Sequence, residues 1–165
     1  QLFICDTHCH LNPTAAQVAD IALLAAAEVR RFGITPRVAL LSHSSFGSSA
    51  APEANKMREA RAIIRERSPD LAVEGEMRGD AALSPSVLHH EFPDSGFEGP
   101  ANVLVMPGLH AAHILTKAVP RLTSSTTIGP LLMGMSRPVQ IVPVDAGVNQ
   151  LLDMACLAAH TAIAR

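Results

Sequence analysis

Three short apolar runs each break abruptly into small and polar residues: Val38–Leu41 into SHSSFGSS, Leu71–Glu74 into GEMRGDAAL, and Asn102–Met106 into PGLH. Each run is rich in Val, Leu or Ala and is followed by a stretch with helical spacing of apolar residues. Strand, loop and helix repeating at this interval constrain the fold strongly. They predict a three-layer α/β domain with a mostly parallel sheet and helices on both faces.

The remaining elements fit that scheme. Leu2–Asp6 is a short apolar run suited to a strand. A helix is expected from Pro13-Thr14 to Phe32, with Thr14 as N-cap and Gly33 as terminator. Pro52 opens a helix reaching about Arg67, and Arg58–Arg67, alternating Arg with Glu and aliphatics, is expected to be its solvated face. Asp80 or Ser84 should cap a helix ending near His90, and another helix covers about Leu109 to Val119. Phe92–Pro100 is expected to be loop. Thr126–Met133 is expected to be a strand interrupted by Gly129-Pro130, Pro138–Val142 to be extended, and Val148–Ile163 to be helical.

A chain of 165 residues is one domain and can bury about 70% of its unfolded surface. Aromatics are only 3%, with no Trp or Tyr, so the core must be built from Ala, Leu, Ile, Val and Met. The same scarcity argues against base-stacking nucleic-acid binders, and the net charge of −2 offers no phosphate-tracking patch. No apolar run reaches the ~18–20 residues that span a bilayer, and no signal peptide is visible. Three cysteines without framework spacing fit a reducing cytoplasm. The chain starts at Gln1 and runs directly into an apolar segment, which is expected of a piece of a longer protein.

Ligands of open α/β sheets sit at the carboxyl ends of strands. The loop with Ser42, Ser44, Gly47 and Ser48 lies at such an end, and its hydroxyls and N–H groups suit a phosphate or a pantetheine arm; an ordinary Ser/Gly turn is an equal alternative. GEMRGDAAL sets Glu76, Arg78 and Asp80 on one short loop, either to orient a ligand or to form a structural ion pair at a helix start. Asp6-Thr7-His8-Cys9-His10 resembles the opening motif of TatD-type metal hydrolases. Those are barrels of about 250 residues, and the other histidines do not repeat their ligand pattern, so no metal site is assigned. His89-His90 and His110…His113 are expected on helix surfaces or ends. No Walker loop, nucleophile elbow or dinucleotide fingerprint is present.

Six segments in order resemble the phosphate acetyltransferase family. EVRRFGI-x-P precedes the serine loop; LLSHSSFGSS resembles LSxSTxGSG; Lys56 and the following EAR match a family helix; EGEMRGDAAL resembles DGELQxDAAL; FPDS and Gly99–Val105 match FPxS…GxANVL; IGPLLMGMSRP resembles IGPxLxGxxKP. The likeness is closer to the acetyltransferase-like C-terminal part of bacterial malic enzymes. It implies the second lobe of a two-lobed fold spanning residues 1–165. Residues 139–165 would pack on a first lobe or a partner chain, in a homo-dimer or higher oligomer.

Family members that transfer acetyl groups carry an Asp-Leu-Ser-Arg-Gly segment and a later Asp. The matching positions here are Pro143 for the Ser, Val144 for the Arg and Gln150 for the Asp. An anionic acyl phosphate loses its cationic partner and the thiol its base, so no catalytic residue is assigned. The resemblance implies a regulatory module that senses acetyl-CoA or a related CoA ester. The NADP and divalent metal of malate decarboxylation would belong to a separate N-terminal part of the same chain. A fragment of an active phosphate acetyltransferase is the alternative, and a metal hydrolase the third reading. Binding to nucleic acid or membrane is not expected.

Overall fold

The computed structural model describes residues 1–95, 97–123 and 125–163. It divides into two units, Gln1–Thr116 and Lys117–Arg165. The first contains β1 (Phe3–Cys5), α1 (Ala15–Arg31), β2 (Arg37–Leu41), α2 (Pro52–Arg67), β3 (Ala72–Met77), α3 (Gly79–Leu83), α4 (Pro85–Glu91) and β4 (Val103–Val105). Helix α5 (Leu109–Leu122) straddles the division, and α6 (Val148–Ile163) belongs to the second unit.

The four strands form one sheet in the order β1-β4-β2-β3, and every pairing is parallel. Alternation sorts the side chains. Ala39, Leu41, Leu104 and Met77 join one core with Ala81, Ala82, Leu88 and Ala112 from α3, α4 and α5. Val38, Leu40, Val103 and Val105 are fully buried and alternate with those residues, so they face the side covered by α1 and α2. Each such Val or Leu contributes about 1.5–3 kcal/mol through burial. Helix α1 buries Ala19, Ala22, Ala25 and Ala26, and these small residues allow close packing without aromatics.

Helix α1 keeps the expected ends. Thr14 Oγ1 accepts from Gln17 N at 3.3 Å, and Gln17 Oε1 accepts from Thr14 N at 2.9 Å, a reciprocal capping box. Gly33, at φ +72°, closes the C-terminus with its N–H on Arg30 O. Four expectations need correction. The single helix expected after Asp80 is two helices, α3 and α4, because Pro85 drives Ser84 into extended backbone (φ −121°, ψ 105°). Neither Asp80 nor Ser84 makes a side-chain N-cap bond. Residues 126–133 form no strand: Pro130 has no N–H and Gly129 sits at φ +130°, so a ladder cannot propagate there.

The fourth correction concerns β3, which runs past Glu74 to Met77. Leu40 pairs with Gly75 but Leu41 with Met77, so Glu76 is one extra residue, a β-bulge. Without it, Glu76 would stand beside Leu41 in the apolar core. The bulge rests on Gly75. At φ +136°, a Cβ here would lie 2.5 Å from Leu40 O and 2.9 Å from Leu40 Cβ. The second unit contains no strand among the described residues. Helix α6 buries Met154, whereas Val148, Leu151, Leu152 and Ile163 are exposed. No described helix is long and apolar enough to cross a membrane.

The glycine contact predicts that Gly75→Ala lowers stability by about 2–5 kcal/mol, combining an unfavourable φ with overpacking against β2. Denaturant titration with an unchanged m-value checks it; a loss below about 0.5 kcal/mol is the contrary result.

Candidate functional site

All four strands of a parallel sheet end on the same edge, so the loops after β1, β2, β3 and β4 gather there. The loop after β2, residues 42–51, is built around Glu76. The Glu76 side chain is fully buried. Its Oε1 accepts from Ser44 Oγ at 3.1 Å, from Gly47 N at 3.0 Å and from Arg58 Nη1 at 2.6 Å. Its backbone carbonyl, freed from the ladder by the bulge, accepts from Phe46 N at 2.8 Å. Phe46 (φ +47°) and Gly47 (φ +91°) are both left-handed, which turns the loop around the carboxylate. The Phe46 ring packs on Phe92 with centroids 4.0 Å apart.

The other serines divide the remaining work. Ser48 Oγ accepts from Ser45 N, and buried Ser45 Oγ accepts from Arg78 N, both at 3.1 Å. Ser42 N donates to Met77 O at 2.9 Å, and Ser42 Oγ lies 3.5 Å from His43 Nδ1. His43 and Ser48 are exposed, while Ser44 and Ser45 are buried. Ser44 and the Gly47 amide thus give their donors to Glu76. The open rim carries Ser42, His43 and Ser48.

Arg58 completes this inner frame. Its Nη2 donates to Ser49 O at 3.0 Å and also to Asn55, so one guanidinium ties helix α2, the serine loop and β3 together. The arginines of α2 are therefore paired rather than merely solvated: Arg61 and Arg65 meet Glu74, and Arg67 meets Asp20. A signal for this lay in the sequence. Glu74 and Glu76 sit in an otherwise apolar strand, and buried carboxylates require cations. Which arginines answer them depends on how α2 crosses the sheet.

Sequence spacing puts Glu76, Arg78 and Asp80 on one loop; the structure separates them. Glu76 belongs to β3. Arg78 and Asp80 form an exposed bidentate pair at 3.1 and 3.2 Å, and Arg78 also bonds Glu91. Hydrogen bonds to Asp80 and Glu91 raise the Arg78 pKa, and the bond from Arg78 lowers that of Asp80.

After β1, Asp6 organises the loop that includes the two tempting histidines. Its oxygens accept from the N–H groups of His8, Cys9 and His10, each at 2.9 Å, and His10 Nδ1 lies 2.7 Å away. Burial alone would raise the Asp6 carboxyl, but these hydrogen bonds outweigh it and hold it below the usual range. Burial, with the Asp6 charge adding to it, pushes the Cys5 thiol up to about 12. His8 bonds Thr7 Oγ1 and stands edge-on to His113. Among the described residues, no three His, Cys, Asp or Glu side chains gather to hold a metal.

Lys56 was not among the sequence candidates, yet it joins two strand-end segments to α2. Its Nζ, on α2, donates to Asn12 Oδ1 at 2.8 Å and to Pro107 O at 2.7 Å. Desolvation lowers its pKa, partly offset by Glu53. In the second unit, Pro143 and Val144 are exposed, and Gln150 Nε2 reaches Gly129 O at 3.5 Å.

Comparison with known proteins places this geometry among relatives. Residues 1–159 match the family model described as Phosphate acetyl/butaryl transferase. NADP-dependent malic enzyme from Escherichia coli is 49% identical over 94% of this chain, which covers 21% of that protein. Phosphate acetyltransferase from Bacillus subtilis is 35% identical over 99% of this chain and 50% of that protein. Among solved structures, a phosphotransacetylase from Streptococcus pyogenes superposes with a TM-score of 0.94 at 36% identity, over 98% of this chain and 49% of that one. The chain thus spans about a fifth of the malic enzyme and half of the acetyltransferase. Its sheet is open, not the closed barrel of a TatD-type hydrolase.

Two outcomes follow from the ion pairs. Arg58→Met should cost about 3–5 kcal/mol because it strands a buried carboxylate, whereas Arg67→Met, which breaks an exposed pair, should cost less than about 1 kcal/mol; paired denaturant titrations compare them. The depressed Asp6 pKa means its contribution is full above the unfolded value of about 4 and disappears as pH falls through the lower folded value. The stability gap between wild type and Asp6→Asn should therefore be widest near neutral pH and narrow below about pH 4. A gap that widens on acidification is the contrary result.

Proposed function

The chain belongs to the phosphate acetyl/butaryl transferase family, and from that premise we propose that it is an acetyl-CoA-sensing module of an NADP-dependent malic enzyme. It transfers no acetyl group itself. The observation that carries this reading is a dissociation between two parts of the family pattern. The serine loop at the sheet edge is fully framed by Glu76 and Arg58. The positions matching the family's Ser, Arg and Asp hold Pro143, Val144 and Gln150. None of these three supplies a cation for an acyl phosphate or a base for a thiol. Identity of 41–51% with NADP-dependent malic enzymes against 35–40% with phosphate acetyltransferases leans the same way.

A sensor needs only different affinities for a ligand in two states of the protein. The exposed rim, Ser42, Ser48 and the Gly47 turn, is where the thioester's polar arm would lie. Ser44 and Glu76 hold that rim in shape from beneath. Arg78 and Asp80 form a charged neighbour across the Ser45 contact. NADP and a divalent metal serve malate chemistry in another part of the same chain. The assembly is a cytoplasmic homo-oligomer in which the exposed apolar face of α6 is covered.

Acetyl-CoA should inhibit malate turnover of the full-length protein. A coupling of about 1–3 kcal/mol corresponds to a shift of several-fold to about a hundredfold. Ser44→Ala and Arg78→Ala should weaken the response, and no acetyl phosphate should form from acetyl-CoA and phosphate. Indifference to every CoA ester overturns the sensor. Robust acetyl phosphate formation establishes an active phosphate acetyltransferase instead.

A further inference from the structure

We propose that the Arg58–Glu76 pair is the positioning element of the serine loop, and that affinity for a CoA thioester is set through this pair rather than by residues that touch the ligand alone. The affinity clause rests on the sensor reading; the positioning clause does not.

Three independent features converge on the pair. The first is the bulge: β3 carries an extra residue at the one position where that residue's side chain and carbonyl both reach the serine loop. Bulges re-aim side chains beside sites. The second is an asymmetry inside the carboxylate. Glu76 Oε1 accepts three hydrogen bonds, while buried Oε2 has no partner. A pair selected for stability alone would satisfy both oxygens, or give way to apolar residues of similar volume. Here the bonds are concentrated on the oxygen that faces the loop. The third is Phe46, a non-glycine residue at φ +47° held there by its N–H on Glu76 O and by its ring on Phe92. Such backbone persists only where the surroundings over-determine it. Arg58 closes the frame through Ser49 O, which fixes the far end of the loop.

Glu74 supplies the control. It lies two residues away in β3 and pairs with two arginines of the same helix, but among the described residues it makes no hydrogen bond or ion pair to the serine loop.

The test uses the full-length protein with two readouts: hydrogen–deuterium exchange of residues 44–49, and the acetyl-CoA concentration giving half-maximal change in malate turnover, taken as a ratio to each variant's ligand-free rate. In Glu76→Gln, exchange of the loop amides should accelerate by about tenfold or more, and half-saturation should rise by a similar factor, with β2 and β4 amides still protected. Glu74→Gln should move neither. Ser44→Ala, which removes one loop contact and keeps the ion pair, should shift both by a few-fold, and Arg58→Lys should fall between wild type and Arg58→Met. These two variants decide the matter if Glu76→Gln does not fold. Wild-type exchange and half-saturation in Glu76→Gln overturn the proposal, as do equal effects from Glu74→Gln. If the wild type answers to no CoA ester, the sensor reading and the affinity clause fall together, and loop exchange alone still decides the positioning clause.

Discussion

A buried carboxylate held by one guanidinium organises the strand-end edge of this domain. Glu76 is charged, fully enclosed, and set in a strand whose neighbours are apolar. It is tolerable there because Arg58 reaches it at 2.6 Å and loop donors complete the shell around one oxygen. Everything local follows from that requirement. Helix α2 must lie across β3 with Arg58 pointing inward, the serine loop must fold back over the carboxylate, and β3 must bulge to keep Glu76 out of the core that Met77 and Leu41 occupy. Gly75 permits the bulge because its missing Cβ leaves room for Leu40 O.

The same edge is braced a second time, toward the β1–β4 end of the sheet. Lys56 ties the loop after β1 to the loop after β4, and Asp6 gathers the amides of His8, Cys9 and His10. These bonds freeze loops that would otherwise be the least ordered part of a parallel α/β sheet. The price is that histidines suggestive of a metal centre in sequence are drawn around Asp6 by backbone bonds instead.

Family membership and the state of the catalytic positions bear on function in different ways. The match over residues 1–159 accounts for the fold and the serine loop. It does not by itself make the chain a transferase, because acyl transfer depends on a few charged and nucleophilic groups that the fold can lose without collapsing. Pro143 and Val144 occupy an irregular, exposed stretch, and half-buried Gln150 lies in the first turn of α6, all outside the sheet. A frame kept intact while those positions differ from the family pattern is the basis of the proposed regulation by a bound thioester.

Short-range signals in the sequence determined the strand–helix alternation up to α5 apart from the break at Pro85, the parallel sheet, the Thr14 cap and the Gly33 terminator, because capping, turn chemistry and apolar periodicity act within a few residues. The serine loop was legible for the same reason: an apolar run breaking into Ser and Gly marks a strand end. The partners of that loop were not legible. Arg58 and Glu76 are 18 residues apart, and Ser44 and Glu76 are 32. Nothing local distinguishes Arg58 from the paired arginines beside it, or Glu76 from Glu74 in the same strand. Only the packing of α2 on β3, and a bulge visible only through the register between two strands, decided which carboxylate is buried and which arginine neutralises it. The physical reason is that burial of charge is a property of the assembled layers, where desolvation must be offset by groups distant in the chain.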